Sequence, residues 1–184
     1  VKAAQHANTP DVVFFDSLGR PCLTIKDAGG GQKFSTRTEV DIEGQMQRVT
    51  DPRGRTALDY TAHPAALQVP GYDIAGHLIY QAHIDAGERH ILFDIHGKTA
   101  YHWDARGGRL HTTYDALRRP LELRFLAQGA ITERVLERSV YGEAQGDGLN
   151  PRGRTYQQFD DAGLQTSTAY DFKGNLLGSS RQLV

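Results

Sequence analysis

Apolar and polar residues alternate with a period of two along much of this chain. Leu121, Leu123 and Phe125 interleave with Glu122 and Arg124, Leu110, Thr112 and Tyr114 form a second run, and Leu164, Thr166, Thr168 and Tyr170 a third. Side chains of an extended strand point alternately to two faces, so each run predicts a strand with one apolar face. Ile91 and Phe93 lead into Asp94, and Tyr101 and Trp103 lead into Asp104, as strand ends meeting turns. Two stretches break the rhythm. Residues 60–71 are proline-punctuated and predict a loop, and 128–149 is an irregular interruption whose Ile131–Val140 segment reads as a strand or as two helical turns.

The turns repeat. Nine of fifteen aspartates have glycine three residues later: Asp16/Gly19, Asp27/Gly30, Asp41/Gly44, Asp51/Gly54, Asp73/Gly76, Asp94/Gly97, Asp104/Gly107, Asp160/Gly163 and Asp171/Gly174. Chance would supply roughly one or two such pairs, so this is a repeat rather than composition. Asp opens a type I turn by accepting backbone N–H bonds, and Gly takes the left-handed position that often closes a hairpin. An aromatic precedes the aspartate at Phe15, Tyr72, Phe93, Trp103, Phe159 and Tyr170, and a basic residue follows the glycine at Arg20, Arg55, His77 and Lys98. Degenerate copies stand at Tyr114-Asp115 and at Asn150–Arg154; Arg118 in the glycine slot of the first points to a different turn type there. The aromatics predict ring-on-ring cover between successive hairpins, each cross-strand pair contributing about 0.2–1 kcal/mol. Together these features predict an all-β array of tandem hairpins over 1–184 in which many marginal hairpins share a core.

Composition narrows the function. The formal net charge of −1 shows no basic stripe, which argues against a nucleic-acid partner. No apolar run reaches the ~18 residues of a membrane span. The chain has neither an initiating Met nor a signal peptide, as expected of a segment of something longer. Cys22 is the only cysteine, which excludes an internal disulfide and a Cys-based zinc site and leaves it the role of a small apolar residue. His90, His96 and His102 stand six apart, but no acidic partner recurs beside them, so solvated turn histidines explain them better than a metal. The aspartates occupy one turn slot with backbone donors on their carboxylates, which leaves no acid–base pair. Gly29–Gly31 lacks the Lys-Ser/Thr ending of a phosphate loop, Ser17, Ser35 and Ser139 lack a nucleophile elbow, and the nine-residue calcium period of β-rolls is missing. No enzyme and no cofactor are expected.

The repeat unit resembles the tyrosine–aspartate (YD) repeats of the Rhs superfamily, closest to the B and C components of insecticidal toxin complexes and SpvB-associated toxin proteins. The resemblance rests on Phe15-Asp-Ser-Leu-Gly-Arg-Pro21, Asp41-Ile-Glu-Gly44, Asp51-Pro-Arg-Gly-Arg55, Asp85-Ala-Gly-Glu-Arg89, Trp103-Asp-Ala-Arg-Gly107 and Tyr114-Asp-Ala-Leu-Arg-Arg-Pro120. It continues through Tyr141-Gly-Glu143, Asn150-Pro-Arg-Gly-Arg154, Tyr170-Asp-Phe-Lys-Gly-Asn175 and Ser179-Ser-Arg-Gln-Leu183. It implies an arc of a curved, spiralling antiparallel sheet, the wall of a secreted bacterial shell around a C-terminal toxin. The partners so implied are the rest of the shell polypeptide, its enclosed toxin and a pore-forming component. Taken alone, such a segment is expected to associate through two open sheet edges or to be marginally stable. Two rival classes compete: a carbohydrate- or cell-surface-binding module stacking sugars on Tyr101, Trp103 and Tyr114, and a hydrolase using a carboxylate pair. Buried rings favour the shell, and a coplanar exposed row favours sugar binding.

Overall fold

The computed structural model describes residues 8–61 and 71–184. The predicted loop at 60–71 therefore lies, apart from Tyr60, Thr61 and Gly71, outside the described residues. Fourteen strands follow one another in chain order and pair antiparallel, with one short 3-10 turn at Gly142–Gln145 as the helical element among the described residues. The chain divides into two units, Val1–Ile91 and Leu92–Val184.

In the first unit β1 (Val12–Phe15), β2 (Pro21–Asp27), β3 (Lys33–Val40), β4 (Met46–Thr50), β5 (Thr56–Asp59), β6 (Tyr80–His83) and most of β7 (Gly87–Phe93) form an up-and-down meander. The second continues with β8 (Thr99–Trp103), β9 (Arg109–Tyr114), β10 (Pro120–Leu126), β11 (Arg134–Tyr141), β12 (Thr155–Asp160), β13 (Gly163–Tyr170) and β14 (Leu176–Leu183). The three alternating runs of the sequence fall on β9, β10 and β13, and Ile131–Val140 resolves in favour of a strand, β11. No helix among the described residues is long and apolar enough to cross a membrane.

Burial differs from the alternation. Every residue of β9 is half-buried, as is every residue of β8 and β4, so neither face is the covered one. A sheet shows this when no second layer packs on it. The buried hydrophobic residues among those described are Tyr60 and Tyr80, of which Tyr80 is fully buried. Tyr60 packs on Tyr72 (6.1 Å between ring centroids) and Tyr80 on His90 (5.1 Å), so the best-covered part of the first unit is a tyrosine cluster where β5 gives way to β6. Gly71 is buried there; its carbonyl accepts from the N–H groups of Ile79 and Tyr80, and a Cβ on it would collide with the Tyr60 carbonyl oxygen.

Bulges recur beside the turns. Phe14 pairs with Leu23 but Phe15 with Pro21, Thr113 with Glu122 but Tyr114 with Pro120, and Ala169 with Gly178 but Tyr170 with Leu176. The returning strand thus carries one extra residue, Cys22, Leu121 or Leu177, close to the turn. Such a residue increases the local twist and re-aims the side chains around it.

Candidate functional site

The aspartate turns are the built feature of this chain. In each well-formed copy the glycine N–H donates to the Asp carbonyl and the Asp N–H donates to the carbonyl four residues on, as with Gly97 to Asp94 (2.9 Å) and Asp94 to Lys98 (2.8 Å). The carboxylate closes the loop from above. Asp94 Oδ1 accepts the N–H groups of His96 (2.8 Å) and Lys98 (3.0 Å), and Asp16, Asp51, Asp73 and Asp104 accept the equivalent pairs. Oδ2 takes the side chain at the fifth position: Arg20 Nε on Asp16 (2.7 Å), Arg55 Nη2 on Asp51 (2.8 Å), His77 Nδ1 on Asp73 (2.9 Å), Arg119 Nε on Asp115 (2.7 Å) and Asn175 Nδ2 on Asp171 (2.7 Å). In the turn opened by Asp41, Oδ1 accepts Gln45 N–H and Oδ2 accepts Gln47 Nε2. Arg20, Arg55 and His77, basic residues after glycine, are therefore second clasps on their own aspartates.

The fourth-position glycines are left-handed, with φ of 77° at Gly19, 89° at Gly44, 76° at Gly54, 82° at Gly76, 73° at Gly97, 75° at Gly107 and 98° at Gly174. The repeat predicts one equivalent slot, and in this the glycines differ from expectation, because their surroundings are unlike. A Cβ on Gly19 or Gly54 would meet nothing within 4 Å, and one on Gly76 would touch Gln45 Nε2 at 3.8 Å. One on Gly107 would press on the Gln128 side chain at 2.9 Å, and one on Gly174 would collide with the Arg154 guanidinium. Gly19 and Gly76 thus serve the turn by backbone conformation alone, whereas Gly174 also leaves room for an arginine arriving from the preceding hairpin.

These donors hold the carboxylates ionised. The backbone N–H of the fifth residue is the leading cause that lowers the pKa of Asp16, Asp51, Asp94 and Asp115. For Asp73 and Asp171 the leading cause is the partner side chain, His77 or Asn175.

Three copies depart from the pattern. Asp27 ends β2 and the turn begins one residue later, with Gln32 N–H donating to Gly29 O and Ala28 N–H to Gln32 O, because three consecutive left-handed glycines shift the frame. Asp160 and Gly163 pair directly across a two-residue hairpin, and Arg181 Nη2 bridges both Asp160 oxygens (3.0 and 2.8 Å). At Asn150–Arg154 the bond runs from Arg154 N–H to Pro151 O, again one residue displaced. Arg118 overturns the expected change of turn type: it adopts φ 62° and donates its N–H to Asp115 O (2.9 Å), keeping the ordinary turn. One cap was not anticipated. At the β6–β7 turn His83 stands in the aspartate's place, its Nδ1 accepting from Asp85 (3.0 Å) and Ala86 (3.2 Å) N–H.

Turns following odd-numbered strands and turns following even-numbered strands lie at opposite ends of the strands within each unit, and we call them odd and even turns. The odd turns are stitched together. Tyr114 Oη donates to Thr99 O (2.8 Å), Tyr141 Oη to Pro120 O (3.0 Å) and Tyr170 Oη to Thr155 O (2.6 Å). Each acceptor is the first residue of the strand just before the tyrosine's own, and the basic residue preceding it lies over the same tyrosine ring. Lys98 covers Tyr114 at 5.7 Å, Arg119 covers Tyr141 at 3.9 Å and Arg154 covers Tyr170 at 5.2 Å. Arg119 also reaches Glu143 (2.6 Å), Arg118 reaches Asp94 (3.2 Å), and Arg20 donates to Asp41 O (2.7 Å).

Tyr72 packs on the Tyr60 ring, whereas other repeat aromatics find different partners from those expected. Basic side chains cover Tyr114 and Tyr170, Arg138 lies over Phe159 at 5.9 Å, and Phe15 is 60% exposed. Phe93 is half-buried. Trp103 stacks on Tyr101 of its own strand (5.5 Å), Tyr101 on His111 (4.4 Å), and Arg109 covers Tyr101 at 5.4 Å. Glu133 ties this face together through Arg109 (2.8 Å) and His111 (3.4 Å); burial works against its charge, but these partners hold its pKa below the usual value. Tyr101 and Trp103 are half-buried by their own neighbours and do not form an open row. Among the described residues no three His, Cys, Asp or Glu side chains are grouped to hold a metal, and His90, His96 and His102 stand respectively against Tyr80, at a turn tip and in β8.

No family model matches this chain, and no curated protein does. Among solved structures it is similar over 99% of its length to a chain of the crystal structure of TcdB2-TccC3-Cdc42, at 23% identity and a TM-score of 0.80. It is similar over 97% of its length to a chain of the Photorhabdus luminescens Tc holotoxin pore, at 26% identity and a TM-score of 0.79. Its fold is that of a stretch of Tc toxin. The chain spans about 9% of the length of the Tc chains it matches. The resemblance carried by the Asp-x-x-Gly series is therefore matched by a likeness of backbone over nearly the whole chain.

Proposed function

We propose that this chain is a structural segment of a bacterial toxin-complex protein, part of a secreted shell that encloses and helps deliver a C-terminal toxin. The observation that carries this reading is the similarity to Tc toxin chains over 97–100% of the segment. The chemistry of the turns supports it. Their carboxylates are taken up by backbone donors and by clasping side chains, which suits a scaffold rather than a reactive centre, and we propose no enzymatic activity for the segment. The partners on this reading are the rest of the shell polypeptide, its cargo and a pore-forming component. The sugar-binding alternative loses support because Tyr101 and Trp103 are covered by each other, His111 and Arg109.

The test is limited proteolysis of the full-length polypeptide that contains this stretch. The part C-terminal to the stretch should resist protease while the stretch is intact. It should become sensitive when the β8–β11 clamps are broken by Tyr114→Leu and Tyr141→Leu together. A C-terminal part cleaved at the same rate in both proteins would sink the enclosure reading.

A further inference from the structure

One turn of the second unit has the backbone of an aspartate turn without its cap. Asp147 O accepts the N–H of Asn150 (3.2 Å), and Asn150 takes the left-handed slot with φ 52°. The carboxylate is held differently. In the Asp16, Asp51, Asp73, Asp94 and Asp104 turns Oδ1 accepts backbone N–H groups two and four residues on. Among the described residues no backbone N–H holds the Asp147 carboxylate. It pairs with Arg152 Nε at 2.8 Å, and 76% of the Asp147 side chain is exposed. Residues 143–150 are exposed throughout.

The next residue makes the difference chemical. Asp147 is the only one of the fifteen aspartates followed by glycine. Neither conformation nor space calls for that glycine. Gly146 and Gly153 in the same connection are left-handed (φ 78° and 74°), whereas Gly148 is not, and a Cβ on it would meet nothing within 4 Å. What glycine leaves unshielded is its own backbone nitrogen. We propose that Asp147 is a site of spontaneous covalent modification, in which the Gly148 nitrogen closes on Asp147 Cγ and the ring reopens as isoaspartate. The N–Cγ bond forms while the carboxyl OH and the amide hydrogen leave as water. A second water then adds to the main-chain carbonyl carbon of Asp147, and the bond from that carbon to Gly148 N breaks. Addition at Cγ restores aspartate, and nothing is oxidised or reduced. The capped aspartates are spared, because an Oδ1 fixed by two N–H groups keeps Cγ from swinging onto the next nitrogen.

The product carries one more methylene in the main chain and a free carboxylate where the Asp147 amide carbonyl stood. That carbonyl holds Asn150, and Leu149 and Asn150 tie the loop to β13. Leu149 O accepts Tyr170 N–H (2.9 Å) and Asn150 Nδ2 donates to Tyr170 O (3.1 Å). Isoaspartate at 147 therefore releases the loop from Tyr170. The proposal does not depend on the enclosure reading.

The test is to age the full-length polypeptide that contains this stretch at neutral pH and body temperature. Peptide mapping and labelling by an isoaspartyl-directed carboxyl methyltransferase then locate the product. Isoaspartate should accumulate at 147 ahead of every other aspartate of the stretch, and Gly148→Ala should remove most of it. Ala105→Gly places a second Asp-Gly pair inside a capped turn, where Asp104 Oδ1 accepts the N–H groups of Arg106 and Gly108, and position 104 should stay unmodified over the same time. No isoaspartate at 147, or equal accumulation at 104 and 147 in the Ala105→Gly protein, overturns the proposal. Where Gly148→Ala perturbs the fold, Asp147→Glu takes its place: its longer side chain must close a six-membered ring, and the methyl label should again fall. Hydrogen exchange reads the consequence. The Tyr170 N–H should exchange about tenfold faster or more in the modified fraction than in fresh protein. Unchanged protection of Tyr170 in modified protein overturns the release.

Discussion

The Asp51 and Asp115 turns, one even and one odd, share one motif and one set of backbone bonds, yet they are put to different use. An even turn such as Asp51–Arg55 is closed by its own residues: Asp51 meets Arg53, Gly54 and Arg55 and nothing beyond. An odd turn such as Asp115–Arg119 is closed in the same way and then reaches two strands onward, through Arg119 to Tyr141 and Glu143. The difference teaches that the repeat does two jobs with the same letters. The aspartate and the left-handed residue make a hairpin, and the tyrosine and the basic residue join one hairpin to the next. Where the strands are half-buried on both faces, as in β8 and β9, those joints add long-range contacts to the strand pairing.

The largest effect should fall where an odd connection has no room. A Cβ at Gly142 would collide with the Pro151 carbonyl oxygen and stand 2.6 Å from the Pro151 Cβ. Gly142→Ala should therefore cost about 3 kcal/mol or more by overpacking. Gly54→Ala in an even turn meets nothing within 4 Å and costs only its left-handed φ of 76°, about 1 kcal/mol. Urea denaturation of both variants checks this, and equal losses would erase the distinction between the two ends.

Next come the joints. Tyr141→Leu removes a hydroxyl bond to Pro120 and the ring under Arg119, and should cost about 2 kcal/mol. Phe159→Leu, whose half-buried ring lies under Arg138 at 5.9 Å with no hydroxyl to lose, should cost about 1 kcal/mol or less. A double-mutant cycle of Tyr141→Leu with Arg119→Ala should return a coupling of about 0.5–1 kcal/mol. A coupling of zero would mean that the 3.9 Å approach carries no energy.

Acid acts on both ends together. Asp16, Asp51, Asp73, Asp94, Asp115, Asp160 and Asp171 all have pKa values lowered from 3.8 in the folded chain. As pH falls, the unfolded chain takes up protons first, so the stability these carboxylates give is complete above the ordinary value and is lost as pH drops through the lowered ones. The melting temperature should stay level from neutral to about pH 5 and fall steeply below about pH 4. A melting temperature that rises on acidification would show that the carboxylates repel one another more than they cap.

How much of this the sequence disclosed depends on range. Alternation marked β9, β10 and β13, because facing in an isolated strand is a two-residue property. The turns were legible because the donors on Asp94 Oδ1 lie two and four residues away. The partners of the tyrosines were not, since Tyr114 reaches back 15 residues to Thr99 and Tyr141 reaches back 21 to Pro120. The same holds for the glycines: Gly19, Gly76 and Gly174 read alike in the sequence, and only Arg154, twenty residues before the last of them, makes Gly174 a crowded place. Nor was the parity of the turns legible, because a list of Asp-x-x-Gly copies does not say at which end of a strand each one lies. One partial clue was present: where the residue after Asp is isoleucine or phenylalanine, at 42, 74, 95 and 172, the turn is an odd one, although Ser17 and Ala116 follow Asp in odd turns too. The frame shift at Asp27 and the cap supplied by His83 arise from neighbours that override the motif. Three glycines free the backbone in the first, and an imidazole nitrogen replaces a carboxylate oxygen in the second.

The smallest effect separates turn from joint within a single residue. Arg118 holds a left-handed φ of 62°, a conformation that costs a side-chain-bearing residue about 1 kcal/mol. Its guanidinium returns something by pairing with Asp94 at 3.2 Å, but with 42% of the side chain exposed that pair contributes about 0–1 kcal/mol. Glycine would relieve the backbone while adding about 0.5–1 kcal/mol of unfolded-chain entropy and losing the pair. Arg118→Gly should thus change stability by about 0.5 kcal/mol or less in either direction. The reciprocal Gly97→Arg must hold a φ of 73° with no such pairing to offset it, and should destabilise by about 1 kcal/mol. If Arg118→Gly instead costs as much as Tyr141→Leu, the reach from Asp115's turn to Asp94's is itself a joint, and an odd turn without glycine gives up backbone ease for a hold on its neighbour.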